Sequence, residues 1–352
     1  MNPPAIFALV AYFSFCLVSD HANVQDGVLQ RYQRRSPTGE FLSVALNHSF
    51  RTSRFRHVGK MESKCAKLLS RACSASIRRY LELTPRAKQA MELLGATALR
   101  ADHLALRTFS SESMQRQLEA YQCKPQGTLQ FPAKHLHATW LSCPQSSAKE
   151  EANFDGTELL PMRIFLSSVD ISKLSPTAQS IVMPRAECAA KMPADHALLC
   201  FALGVLPWDP PTVQEYEMVC RESEYAAWVM AHGYAVNHVA IAVHRLPGAK
   251  NLDEVNQILE EHGFPLNTAG GKIKASEDGL LLQTAAMAER SVYEFADGTS
   301  QIAGSYIEFA ERKILPKYKS LKPGEVDEHH RRDGFEVGNA DRIFESTDIA
   351  AN

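Results

Sequence analysis

The chain has 352 residues and a mass of 39.1 kDa, with 45% hydrophobic residues, 22% charged residues and a formal net charge of −2. Those values exclude fibrous, collagen-like and wholly disordered chains, and they leave a sizeable core available without disulfides or a structural metal. The charge is uneven: twelve Lys/Arg face two Asp/Glu between Gly27 and Tyr80, while residues 1–26 carry two acids and no base, so residues 81–352 carry a net −10. A body of that sign argues against nucleic acid as a partner.

In chain order, Ala5 to Val18 is apolar at every position except Ser14. Its length is short for a bilayer span and suits the apolar region of a signal peptide, so no stable membrane association is expected. Gly27 to Tyr80 is rich in Arg and Ser and poor in acids, the composition of a transit peptide. Together these predict a targeting segment over residues 1–80 and delivery to a plastid; a cytoplasmic or mitochondrial chain with a basic tail is the alternative. The eight cysteines, Cys16, Cys65, Cys73, Cys123, Cys143, Cys188, Cys200 and Cys220, form no CxxC pair and read as free thiols.

Beyond residue 80 the pattern becomes regular. Leu83–Leu94 reads as a helix with Thr84 as N-cap and Pro85 at its first position. Asp102–Ser110 alternates as a strand, Ser111–Tyr121 has helical spacing, and Gly127–Pro132, His135–Leu141 and Met162–Ser168 read as strands. The same order recurs later: strand Ala235–Val243, helix Asn251–His262, then strands Gly271–Ala275, Leu280–Ala286 and Ser305–Arg312. An α+β fold of two βαβββ modules follows, one at 81–170 and one at 232–352, with a helical insertion at 171–231 shielding one side of the sheet.

Alternation along the strands sets the chemistry. His103, Ala105 and Arg107 share one face of the first strand. His238, Ala240 and Ala242 share one face of the equivalent strand in the second module, and Tyr306, Glu308, Ala310 and Arg312 one face of the last strand. Each strand carries a potential ligand followed two residues on by alanine, which leaves room for a metal. Two histidines and a carboxylate are the ligand set of a facial Fe(II) site with open positions for a 2-oxo acid and dioxygen. A single strand histidine is ordinarily structural, and Glu308 has Arg312 and Lys313 at hand as partners; the coincidence of three such residues in a duplicated unit favours the metal. Arg107 suits bidentate binding of a carboxylate, with a structural salt bridge as its other reading. His135 and His137 share a strand face but lack a third ligand. His244 points away from His238, and His329-His330 lies in a charged, solvated run.

The segments RADHLALRTF, NHVAIAV, GLLLQTAAMA, GSYIEFAERK and DGFEVGNADRIFEST, in that order from about Leu83 to Thr347, resemble the 2-oxoadipate dioxygenase/decarboxylase (hydroxyglutarate synthase) family, and most closely its plant and algal members. The resemblance implies a vicinal-oxygen-chelate type of fold and an Fe(2+) cofactor. It implies conversion of 2-oxoadipate and O2 to 2-hydroxyglutarate and CO2 in lysine breakdown. Carried over by motif, the metal ligands fall on His103, His238 and Glu308. The catalytic, substrate-binding arginine falls on Arg107, further substrate contacts on Val337, Gly338 and Asn339, and Gln283 is a candidate supporting or substrate-binding residue. The competing readings are another chelate-fold enzyme, such as a ring-cleaving dioxygenase or an isomerase, and a non-catalytic binding protein of the same fold. Ligand type leaves iron, manganese and zinc open, and the sequence does not set the oligomeric state.

Overall fold

The computed structural model describes residues 58–96, 101–144 and 161–348, so the signal-like segment Ala5–Val18 and most of the basic stretch lie outside the described residues. Two compact units are distinguished, Met1–Lys64 and Cys65–Asn352, and the described residues of the second contain ten strands.

The folded body begins earlier than the expected boundary at residue 80. A helix spans Val58–Leu83, and its Leu69, Ala72, Cys73, Ile77 and Tyr80 are buried in the core. These positions follow spacings of three and four, an apolar stripe that mixes large and small residues and is hidden by the surrounding Arg and Ser. Tyr80 also donates its hydroxyl to the backbone oxygen of Tyr306, at 2.7 Å. A second helix, Pro85–Leu93, follows with Thr84 and Pro85 at its start as expected.

The strands are β1 (Ala101–Thr108), β2 (Lys124–Phe131), β3 (Leu136–Ser142), β4 (Arg163–Val169), β5 (Val236–Ala242), β6 (Lys274–Ala275), β7 (Leu281–Ala285), β8 (Arg290–Glu294), β9 (Thr299–Ala303) and β10 (Tyr306–Arg312). Eight of them form one sheet in the order β2-β3-β4-β1-β5-β10-β7-β6. The order is palindromic by module: β1 pairs parallel with β4 and β5 parallel with β10, and the two halves join through the antiparallel pair β1–β5. The duplication expected from element order is therefore present in the topology. The hairpin β8–β9, which the sequence reading passed over, stands outside this sheet between the third and fourth strands of the second half.

One face of the sheet (Leu104, Leu106, Val239, Ile241, Ile307, Phe309) packs on the helices Ser111–Ala120 and Leu252–Glu261 and on the N-terminal helix. The insertion contributes four helices. Ala194–Leu203 joins that same core, whereas Pro176–Lys191, Val213–Cys220 and Glu224–His232 cover the other face with Trp140, Phe165 and Trp228. Ser175, Thr212, Ser223 and Asn251 cap four of these helices, and Thr212 with Glu215 forms a reciprocal capping box.

Candidate metal centre

Register places the candidate ligands. His103 stands opposite Ala240, and Ala240 opposite Glu308, so the three form a row across β1, β5 and β10. Neighbouring strands lie about 4.8 Å apart, so the two outer side chains of such a row lean toward each other only when the middle residue is small. Ala240 is that residue, and it is fully buried. His238 sits two residues before Ala240 on the same strand face, opposite both Ala105 and Tyr306.

The result is a buried cluster in which one ligand atom from each of His103, His238 and Glu308 lies within 4.8 Å of the others. Glu308 Oε2 is 3.2 Å from His238 Nε2, and Glu308 Oε1 is 3.8 Å from His103 Nε2. The histidine protons are fixed from behind. His103 Nδ1 meets Asp102 Oδ1 at 2.9 Å and His238 Nδ1 meets Asn237 Oδ1 at 3.0 Å. Each Nδ1–H donates to an oxygen, so each Nε2 presents its lone pair to the cluster, the tautomer a metal requires. Burial alone would raise the Glu308 carboxyl, but His103, His238 and the hydrogen bond from Gln283 outweigh it and hold the group below the ordinary carboxylate range. Burial also lowers the His238 imidazole, against the opposing pull of Glu308. The donor set therefore fits a divalent cation.

Of the groups behind the ligands, sequence reasoning singles out Gln283 and offers Arg312 as a partner for Glu308, but it gives no role to Asp102 or Arg163. The register of β1 against β5 slips between Ala101 and His103, and there Asp102 reaches back to His103. Arg312 Nε and Nη2 donate to Asp102 at 2.6 and 2.9 Å, and Arg163 Nη1 donates at 3.3 Å. These two guanidiniums override the effect of burial and keep Asp102 well below its ordinary value. A sequence signal existed, namely an acid immediately before the first histidine and an amide before the second. On the far side Gln283 Nε2 donates to Glu308 Oε1 at 2.6 Å.

Arg107 is 1% exposed and lies under the rings of Tyr225, Trp228 and Phe344, with its Cζ 5.0, 5.5 and 5.8 Å from their centroids. It has a protein partner: Nη1 donates to both Glu224 oxygens at 3.1 and 3.3 Å. Nη2 donates to Thr347 Oγ1 at 2.8 Å and to the Phe344 carbonyl at 3.3 Å. Arg107 Nε is buried without a hydrogen-bond partner among the described residues. Burial raises the Glu224 carboxyl and Arg107 lowers it, with burial prevailing. Of the three C-terminal residues singled out, Val337 opens the short helix Val337–Ile343 and is 44% exposed, Gly338 follows it and is exposed too, and only Asn339 is buried. Phe335 closes the cluster edge-on, its ring 4.8 Å from His103 and 5.0 Å from Phe165.

The remaining histidines stand apart from this cluster. His135 lies before β3 in a left-handed conformation with φ 55°, so it shares no strand face with His137. His244 bonds Glu328 Oε1 at 2.7 Å, and His329 and His330 lie with Asp327 in a largely exposed turn.

Comparison with known proteins agrees with this geometry. The family model described as 2-oxoadipate dioxygenase/decarboxylase matches residues 78–327. The chain belongs to that family. A rice relative, 2-oxoadipate dioxygenase/decarboxylase, chloroplastic/amyloplastic, is 42% identical over 278 residues, covering 76% of this chain and 75% of the relative. A crystal structure of rice hydroxyglutarate synthase in complex with 2-oxoadipate superposes with a TM-score of 0.76 at 40% identity, covering 82% of this chain and 94% of that one. At the level of fold alone, a Ralstonia eutropha structure described as belonging to the glyoxalase superfamily superposes with a TM-score of 0.51 at 18% identity, over 72% of this chain and 84% of that one. The expected α+β, vicinal-oxygen-chelate-like architecture is thus present, and none of the described helices is long and apolar enough to cross a membrane.

Proposed function

We propose that this chain is a plastid enzyme that converts 2-oxoadipate and O2 to 2-hydroxyglutarate and CO2, the step in lysine breakdown implied by its family. The observation that carries the reading is the convergence of His103, His238 and Glu308 in a chain whose rice relative bears that activity in its name. The rice relative's chloroplastic/amyloplastic designation and the Arg-rich, acid-poor composition of residues 27–57 support the location.

The three ligands would hold Fe(II), which supplies open coordination positions for the 2-oxo acid and for dioxygen. The chain's own residues do the rest. Asp102 and Asn237 keep the histidine protons at Nδ1. Arg107, with an unused Nε–H and aromatic rings around its charge, anchors the distal carboxylate of the substrate. Phe335, Phe165 and Trp140 pack against one another beside His103 and limit water at the reacting carbon. Val337 and Gly338, which the family resemblance marks as substrate contacts, stand exposed at the start of the C-terminal helix.

Anaerobic titration with Fe(II) tests the centre. One equivalent should bind per chain, and His103→Ala, His238→Ala and Glu308→Ala should each lose that binding. Wild-type affinity in any of the three removes that residue from the ligand set. A ring-cleaving or isomerase reading predicts turnover of catechols or thioesters without CO2 release, and substrate screening separates the two.

A further inference from the structure

We propose that Asn339 is a positioning residue of the metal centre: it fixes the amide of Gln283, and Gln283 in turn fixes the ligand Glu308. This rests on the metal reading of His103, His238 and Glu308 given above.

Three buried side chains form one polar chain. Asn339 Nδ2 donates to Gln283 Oε1 at 2.9 Å, and Gln283 Nε2 donates to Glu308 Oε1 at 2.6 Å. Asn339 is 3% exposed, Gln283 3% and Glu308 1%, so water cannot substitute for a missing partner without cost. The direction of the chain is set by the backbone. Besides Gln283, Asn339 Nδ2 faces the carbonyls of Lys274 at 3.3 Å and Leu281 at 3.4 Å, which accept and never donate. They hold the Asn339 amide with its NH2 inward, that NH2 requires the Gln283 oxygen toward it, and the Gln283 NH2 is left for the carboxylate. A reversed Gln283 would set its oxygen against Glu308 and its NH2 against the NH2 of Asn339, two repulsive contacts in place of two hydrogen bonds.

The chain has a consequence for the ligand. With Oε1 held by Gln283, the carboxylate cannot rotate, and its other oxygen, Oε2, is the one 3.2 Å from His238 Nε2. The order of the chain is therefore carbonyl, Asn339, Gln283, Glu308. Asn339 lies beyond residue 327, where the family match ends, and the same C-terminal segment supplies Thr347 to Arg107. The segment thus supports both the metal ligand and the substrate arginine, through different residues.

The test measures Co(II) and Fe(II) affinity by chelator competition on the full chain, without substrate. Asn339→Leu and Gln283→Met should each weaken metal binding by roughly 10- to 100-fold, the usual cost of losing a group that orients a ligand, and should alter the Co(II) absorption bands. The double variant should be no weaker than Gln283→Met alone, because Asn339 acts only through Gln283. Asn339→Asp, of the same size but unable to donate, gives the same reading if the leucine variant does not fold. Wild-type metal affinity in the Asn339 variants, with a raised KM for 2-oxoadipate, would overturn the proposal and make Asn339 a substrate contact; multiplicative losses in the double variant would overturn it as well. If Glu308→Ala itself leaves metal binding unchanged, the metal reading fails first, and that outcome is distinct from both.

Discussion

Phe165 occupies in the first half of the sheet the place that Glu308 occupies in the second. Each stands on the last strand of its module, opposite the alanine two residues after a histidine: Phe165 opposite Ala105, Glu308 opposite Ala240. A duplicated site built from the same parts would offer four ligands; this one brings together three candidates and a phenyl ring. The missing ligand accounts for a centre with room for substrate and oxygen. Phe165→Glu should therefore keep or tighten metal binding while lowering turnover by at least about 100-fold, since closed sites suit structural metals and open ones catalysis. Metal titration alongside kcat checks this, and an active, metal-replete variant would show that the fourth position is not where substrate or oxygen enters.

Glu224 competes with substrate for Arg107 if the arginine anchors a carboxylate. Glu224→Gln removes the competitor and leaves the buried guanidinium charge uncompensated, which should cost about 3 kcal/mol of stability in the free protein. The KM for 2-oxoadipate should fall by roughly tenfold, and saturating 2-oxoadipate should recover part of the lost stability. A raised KM would mean that Glu224 holds Arg107 in its working orientation.

Thr347→Val removes the 2.8 Å hydrogen bond to Arg107 Nη2 without touching the metal cluster. Its expected effect is a KM raised by roughly 10- to 100-fold, the worth of one hydrogen bond to a charged group at about 1.5–3 kcal/mol, with metal affinity unchanged. Kinetics on metal-saturated protein and chelator competition separate those two quantities.

Acid sensitivity should have a contribution from His232. Burial lowers this imidazole from 6.5 to about 4, while its Nε2 stays 3.1 Å from the Ala303 carbonyl. The unfolded chain takes up the proton near pH 6.5 and the folded chain only near pH 4, so the contribution is complete above pH 6.5 and is lost as pH falls toward 4. Its size is on the order of 3 kcal/mol. Denaturant midpoints of the wild type and His232→Gln should converge between pH 7 and pH 4.5; parallel curves would assign the acid response elsewhere.

The parts of the site legible in the sequence were those carried by strand alternation. His103, His238 and Glu308 lie in apolar strands with small neighbours, and the two modules repeat in order, so their convergence in one buried cluster is expected from the sequence. What escaped depended on long-range register or on irregular geometry. Asp102 was assigned no role because alternation alone sets it opposite His103, and the slipped register against β5 is invisible in composition. Glu224 is 117 residues from Arg107, and nothing local ties the two together. The N-terminal helix reads as leader in sequence because Leu69, Ile77 and Tyr80 of its buried stripe are separated by Ala, Cys and Ser within an Arg-rich, acid-poor stretch, whose composition is that of a transit peptide. The hairpin β8–β9 is mostly exposed and so lacks the apolar alternation that marks a half-buried strand.

The central claim is that this chain couples oxygen to decarboxylation at the His103–His238–Glu308 centre. The most direct measurement supplies the ferrous protein with 2-oxoadipate and follows O2 uptake, CO2 release and product mass together. The account predicts one CO2 released and one 2-hydroxyglutarate formed for each O2 consumed, with none of the three in Glu308→Ala. Oxygen uptake without CO2, or CO2 released equally by Glu308→Ala, would contradict it.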